Sequence, residues 1–130
     1  HNKDFVLSID YAPTILDLAG VNINPYIQGR SFLPLLTGKT EEWRKSFLIE
    51  YYSFENPFPW LIDTDYKAIR NERYKYIHWI RHQGKNELYD LANDPYEMNN
   101  LYNDEAYQKI VEQMEKDLAL LTAESFGISK

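Results

Sequence analysis

Residues 86–101 read NELYDLANDPYEMNNL, and this stretch decides how the chain is built. It opens as a β-strand, Glu87-Leu88-Tyr89-Asp90-Leu91, and then meets Asn93-Asp94-Pro95. Proline has no backbone donor and restricts the residue before it, so pairing must stop there. Asn99 and Asn100 suit turn conformations, and Asn103 or Asp104 is placed to cap a following helix. That helix is predicted from about Asp104 to Thr122. Tyr107, Ile110, Val111, Met114, Leu118 and Leu121 recur at steps of three and four, and Glu112, Glu115, Lys116 and Asp117 fall mostly off that stripe. A strand that stops firmly and hands over to an amphipathic helix describes a helix crossing one face of a sheet.

Upstream, three more segments read as strands: Ser46 to Tyr52, Tyr66 to Arg70, and Tyr74 to Ile80. Arg70-Asn71-Glu72-Arg73 is short enough for a hairpin turn, and Gly84 sits in the turn before the last strand. Hairpin spacing favours an antiparallel sheet. The fold class expected for this region is therefore α+β, a four-stranded antiparallel sheet packed by a C-terminal amphipathic helix. Residues 5–9 read as a further short strand. Asp10 and Pro13 then open a helix carried by Ile15, Leu16, Leu18 and Ala19 and closed by Gly20. Few polar residues interrupt that helix, so it calls for burial on more than one side. Ser31 caps a short apolar turn, Phe32 to Leu36, which Thr37-Gly38 ends.

Composition bounds the function. The 130 residues suit one domain, and 44% hydrophobic residues can build an ordinary core. A net charge of -6 argues against a nucleic-acid partner, whose phosphates require a basic face. The absence of cysteine removes disulfides, thiolate metal sites and a cysteine nucleophile. No apolar run approaches the ~18 residues of a membrane span, so no membrane partner is expected. A chain starting His1-Asn2-Lys3 leaves upstream targeting segments open.

The 86–101 stretch also resembles the tail signature of type I sulfatases in the alkaline-phosphatase-like superfamily. Glu87, Leu88, Tyr89, Asp90, Leu91, Asp94, Pro95, Glu97, Asn100 and Leu101 fall on that signature. Three further segments resemble the family in the family's order: IDYAPTILDLAGV at 9–21, QGRSFLPLLTG at 28–38 and AIRNERYKYI at 68–77. The resemblance implies that residues 1–42 are helical segments from the end of a large α/β domain, and that 43–130 form the small C-terminal subdomain. It implies a parent that hydrolyses sulfate esters with calcium and a formylglycine, the latter made from cysteine or serine in C/S-x-P/A-x-R. That pattern is missing here, and the family's metal ligands lie upstream of the matched segments. No catalytic residue and no metal ligand is therefore assigned to this chain, and no cofactor is expected in it. The resemblance further implies a periplasmic or secreted parent and two partners, the parent's N-terminal α/β domain and a sulfated saccharide.

Residues 50–60, EYYSFENPFPW, are the best candidates for touching substrate. The segment leaves a strand and carries Tyr51, Tyr52, Phe54, Phe58 and Trp60 around two prolines. Sugars are held by aromatic faces with a few polar groups. The plainer reading, which carries more weight, is a proline-stiffened loop whose aromatics cover the core. The segment's form resembles glycosaminoglycan and N-acetylglucosamine-6-sulfatases. Tyr51, Tyr52 and Trp60, joined by His78 on the third strand, form the candidate substrate-binding set. His78 also reads as a half-buried strand histidine, and His82 as a turn residue. Arg70 and Lys75 read as strand-surface partners of Glu72, Glu87 or Asp90, and Asp10 as a helix cap.

Three functions fit these residues. The first is the C-terminal part of a sulfatase acting on a glycan. The second is the same region of a phosphodiesterase or phosphonate hydrolase of the superfamily. The third is a stand-alone sugar-binding or interaction module. Phe5, Leu7, Ile15, Leu16, Leu18, Leu33 and Leu36 would lose cover without a large domain, which predicts self-association of the isolated chain.

Overall fold

The computed structural model describes residues 4–39, 42–53 and 58–125. The chain divides into two compact units, His1–Lys45 and Ser46–Lys130.

In the first unit, the strand expected at residues 5–9 is absent. Ser8–Asp10 instead form a 3-10 turn leading into helix α1, Tyr11–Leu18. The cause is Asp10. Its carboxylate accepts the Leu7 N–H at 2.8 Å, and its own N–H donates to the Leu7 carbonyl at 3.0 Å, which folds the backbone back before pairing can begin. Asp10 is therefore not a side-chain cap of α1, since no N–H of that helix bonds its carboxylate. It is an anchor. It is fully buried, accepts the Arg30 backbone N–H at 2.9 Å, and pairs with the Arg44 guanidinium. Burial alone pushes this carboxyl up; the Arg44 bonds and the Arg30 and Leu7 N–H groups outweigh it and hold the carboxyl below its ordinary value. Thr14 links the next pieces, donating to the Asp10 carbonyl and accepting the Phe32 N–H ahead of the short helix α2, Leu33–Leu36. Gly20 ends the α1 region with a φ of 68°, as its position predicts.

The second unit is an antiparallel meander in the order β1-β2-β3-β4, with β1 Ser46–Tyr51, β2 Tyr66–Asn71, β3 Tyr74–Trp79 and β4 Glu87–Asp90. Asn71 makes the β2–β3 turn: its side-chain oxygen accepts the N–H groups of Arg73 and Tyr74 at 2.9 and 2.6 Å. Helix α3, Gln108–Ser125, lies on one face. Its Val111, Met114 and Leu118 close a core with Ile69, Tyr76 and Leu88. Leu48, Tyr107, Ile110 and Leu121 pack around it. Asp104 caps the 3-10 turn that leads into α3, accepting the Ala106 N–H at 2.9 Å.

The stop in 86–101 begins earlier than Pro95. Buried Asp90 receives the Ala92 N–H, the Asn93 amide and the Arg73 guanidinium, while its carbonyl accepts the N–H groups of Asn93 and Asp94. Glu97 then takes a positive φ of 56°. The chain returns to β4, where Leu101 N–H donates to the Leu88 carbonyl and Asn100 accepts the Leu88 N–H. The expected surface pairs are corrected accordingly. Lys75 pairs with Glu97 at 2.6 Å, Asp90 is taken by Arg73, and Arg70 makes none of the expected pairs among the described residues.

Candidate functional site

The candidate residues gather at one end of the second unit's sheet, where β1 and β3 end and β2 begins. Side chains alternate along a strand, so the pairing register sorts them into two faces. Glu50, Lys67 and His78 form one cross-strand row. They lie two residues from Leu48, Ile69 and Tyr76, so this row shares the face covered by α3. Lys67 pairs with Glu50 at 3.1 Å, and the Tyr52 hydroxyl donates to Glu50 at 3.0 Å. Burial lowers the Lys67 ammonium, but the hydrogen bond and charge of Glu50 outweigh that and raise it, so the group stays protonated. His78 is exposed at the lip of an open groove of about 580 Å³, lined also by Lys67, Tyr76, Glu115 and Leu118.

Tyr51, Tyr66 and Trp79 form the neighbouring row, on the opposite face. Tyr51 stacks on Tyr66 at 5.6 Å between ring centroids, and Tyr66 meets Trp79 edge-on at 5.4 Å. Trp60 sits in a 3-10 turn, Pro59–Leu61, 74% exposed and stacked on Phe58 at 5.1 Å. The structure thus brings Tyr52 and His78 to one face, turns Tyr51 to the other, and holds Trp60 on the connecting loop. Phe54 to Pro57, the middle of the aromatic segment, lie outside the described residues.

What organises this end of the sheet is a carboxylate that sequence reasoning passed over. Asp65 is buried just before β2. One of its oxygens accepts both the N–H and the hydroxyl of Ser53; the other accepts the Arg81 Nε at 2.8 Å. The base of the aromatic loop is therefore clamped to the segment that follows β3. The Ser53 bonds, with help from Arg81, hold the Asp65 carboxyl down at about 2. The sequence carried only a faint signal, an aspartate before a strand, which reads as an ordinary turn residue. His82 is the turn residue its context predicts, its carbonyl accepting the Lys85 N–H at 3.2 Å.

No group of three or more His, Asp or Glu among the described residues could hold a metal ion. The chain also lacks the residues from which a formylglycine is made in the sulfatase pattern. The described residues do not fit a metal ion, the C/S-x-P/A-x-R pattern is missing from the sequence, and no catalytic step is assigned here.

Comparisons with known proteins agree with this geometry. Residues 1–124 match the family model described as N-sulphoglucosamine sulphohydrolase, C-terminal. An N-acetylglucosamine-6-O-sulfatase of Bacteroides thetaiotaomicron is 39% identical over 106 residues, covering 79% of this chain and 18% of that protein. A structure solved in complex with its substrate D-glucosamine-2-N,6-O-disulfate superposes with a TM-score of 0.78 at 32% identity, over 93% of this chain and 24% of that one. A phosphonate monoester hydrolase of Agrobacterium radiobacter superposes at 0.76 with 27% identity, over 89% and 24%. The chain spans about a fifth of the length of that N-acetylglucosamine-6-O-sulfatase and of a Delta 4,5-hexuronate-2-O-sulfatase from the same organism.

Proposed function

Because the chain belongs to the N-sulphoglucosamine sulphohydrolase C-terminal family, we propose that it is the C-terminal part of a sulfatase that hydrolyses a sulfate ester on a glycan. The observation that carries this reading is the match along 1–124 joined to 39% identity with an N-acetylglucosamine-6-O-sulfatase. The chain's own contribution is structural and substrate-facing. The α3-packed sheet presents the 52–65 loop from a clamped base, and Tyr52, Trp60, His78 and, on the other face, Tyr51 supply surface for a saccharide. Calcium and formylglycine belong to the upstream region of the longer protein, where they supply the electrophilic and nucleophilic chemistry. We take residues 1–42 as the end of that protein's large α/β domain and 43–130 as its C-terminal subdomain. Ile15, Leu18 and Leu36 are more than 60% exposed in the first unit, and the large domain is their natural cover. Without it, self-association of the isolated chain follows. A secreted or periplasmic location belongs to the same reading, and no described helix is long and apolar enough to cross a membrane.

The likeness to a phosphonate monoester hydrolase favours a second reading, in which the longer protein cleaves phosphonate or phosphate esters. The test is turnover by the full-length protein of 6-O-sulfated glucosamine against a phenylphosphonate monoester. Sulfate release at the higher kcat/KM supports the sulfatase; faster phosphonate cleavage overturns it.

A further inference from the structure

A second concavity lies in the same unit, between the β3–β4 turn and the chain that returns past β4. It is an open cleft of about 560 Å³, within the ~300–1,000 Å³ common for small-molecule sites. Trp79, His82, Lys85, Asn86, Asn100 and Asn103 line it. Trp79 is half-buried, and its ring is held by one hydrogen bond to Glu87 and by Tyr66 edge-on at 5.4 Å. Its indole N–H donates to Glu87 at 2.9 Å, and its backbone N–H donates to Asn86 at 3.1 Å. The His82 ring stands edge-on to it at 6.1 Å and 67°.

The polar lining divides into spent and unspent groups. Asn100 holds the Leu88 and Tyr102 N–H groups and donates to the Asn86 carbonyl. Asn86 donates to the Tyr76 hydroxyl at 3.0 Å. Both Glu87 oxygens are engaged, one by Trp79 and one by the Tyr89 hydroxyl at 2.6 Å. These groups build the cleft's rigid wall. By contrast, the side chains of His82, Lys85 and Asn103 have no hydrogen bond or ion pair among the described residues. A fixed aromatic ring beside unspent donors suits the apolar face and hydroxyls of a pyranose. Glu87, also in the lining, keeps its negative charge because both its donors are neutral, so an anion can settle only on the Lys85 side of the cleft, where the one lysine of the lining stands.

We propose that this cleft is a binding subsite for one sulfated sugar residue, its ring against Trp79 and its sulfate on Lys85. The proposal rests on the glycan reading above only for the class of ligand.

The test is a ¹⁵N-¹H titration of the full-length protein, labelled at tryptophan and lysine, with an N-,6-O-sulfated glucosamine disaccharide. Its controls are the unsulfated disaccharide and inorganic sulfate. The Trp79 indole resonance and the Lys85 amide should shift saturably with the sulfated sugar. They should shift less with the unsulfated one and hardly at all with sulfate alone. Lys85→Ala, on an exposed turn, should weaken binding about fivefold, the upper end for a solvent-exposed ion pair. Shifts confined to the groove beside His78, equal shifts with inorganic sulfate, or an unchanged affinity in Lys85→Ala would each overturn the subsite. Full-length protein that hydrolyses the sulfated sugar while the cleft stays silent removes the subsite and leaves the sulfatase reading standing. Binding at Trp79 in a protein that cleaves only phosphonates does the reverse.

Discussion

Ser53 gives its backbone N–H and its hydroxyl to a single oxygen of Asp65, each at 2.6 Å. The pair joins the residue that starts the aromatic loop to the residue that ends it, and Arg81 holds the other Asp65 oxygen. The interaction requires an ionised carboxylate. Asp65 titrates near 2 when folded and near the ordinary ~3.9 when unfolded, so the unfolded chain binds the proton first. Stability from this clamp is therefore present above about pH 4 and is lost as the pH falls toward about 2. Asp90, held down chiefly by Arg73, and Asp10 contribute in the same direction. Thermal melts across this range should show a falling Tm, and Asp65→Asn should flatten part of the slope. A variant whose slope matches the unaltered chain would refute the clamp.

The loop above the clamp carries the substrate-facing proposal. Trp60 is largely exposed and Tyr52 is 45% exposed, so neither supports much core. Trp60→Ala or Tyr52→Ala in the full-length enzyme should lower kcat/KM on a sulfated saccharide about tenfold, a loss of ~1.4 kcal/mol in the transition state. A small aryl sulfate, too short to reach the loop, should change little. Equal loss on both substrates together with a lowered Tm would point to a packing role instead.

Gly29 is predicted to admit no side chain without backbone movement. A Cβ built there would lie 1.8 Å from the Ile9 carbonyl oxygen, so the two backbone segments must part to admit one. The same close approach delivers the Arg30 N–H to Asp10. Gly29→Ala should cost ~1–3 kcal/mol, as overpacked sites do. Hydrogen exchange should show the loss in the first unit, at residues 7–18, with β2 and β3 little affected.

Tyr76 tests how the core face is closed. It is buried, and its hydroxyl donates to Glu115 at 2.9 Å while accepting from Asn86. Burial first, and then Glu115, push its pKa far up, so it stays a neutral donor throughout the physiological range. Tyr76→Phe keeps the ring and removes two hydrogen bonds, while exposed Glu115 turns to solvent and Asn86 keeps its contact with the Tyr102 hydroxyl. A loss of ~0.5–1.5 kcal/mol in denaturant unfolding is expected. No loss would mean that the two bonds add nothing to stability.

The sheet and its covering helix were legible because they obey two periods. Tyr76, Ile69 and Leu88 alternate on strands, and Val111, Met114 and Leu118 recur helically, so burial could be read before any contact was known. Residues 5–9 misled because their apolar run looked like a strand, while Asp10's partners, Arg30 and Arg44, stand 20 and 34 positions away. Ser53, Asp65 and Arg81 escaped for the same reason: a polar clamp has no period. The candidate site was read as one cluster although alternation already separates Tyr51 from its neighbour Tyr52. The register shows the cost of ignoring it, with Tyr51 beside Tyr66 and Tyr52 beside Glu50.

The meander order has a kinetic consequence. Every strand of the second unit pairs with its neighbour in sequence, so no pairing waits for a distant segment to diffuse in. The two residues between β2 and β3 make that hairpin the cheapest loop to close, whereas β1 must close the span from 52 to 65. The β2–β3 hairpin, with its turn preset by Asn71, is the expected nucleus. Strand β1, and with it the aromatic loop, should join late, so mutations in that loop should speed unfolding more than they slow folding.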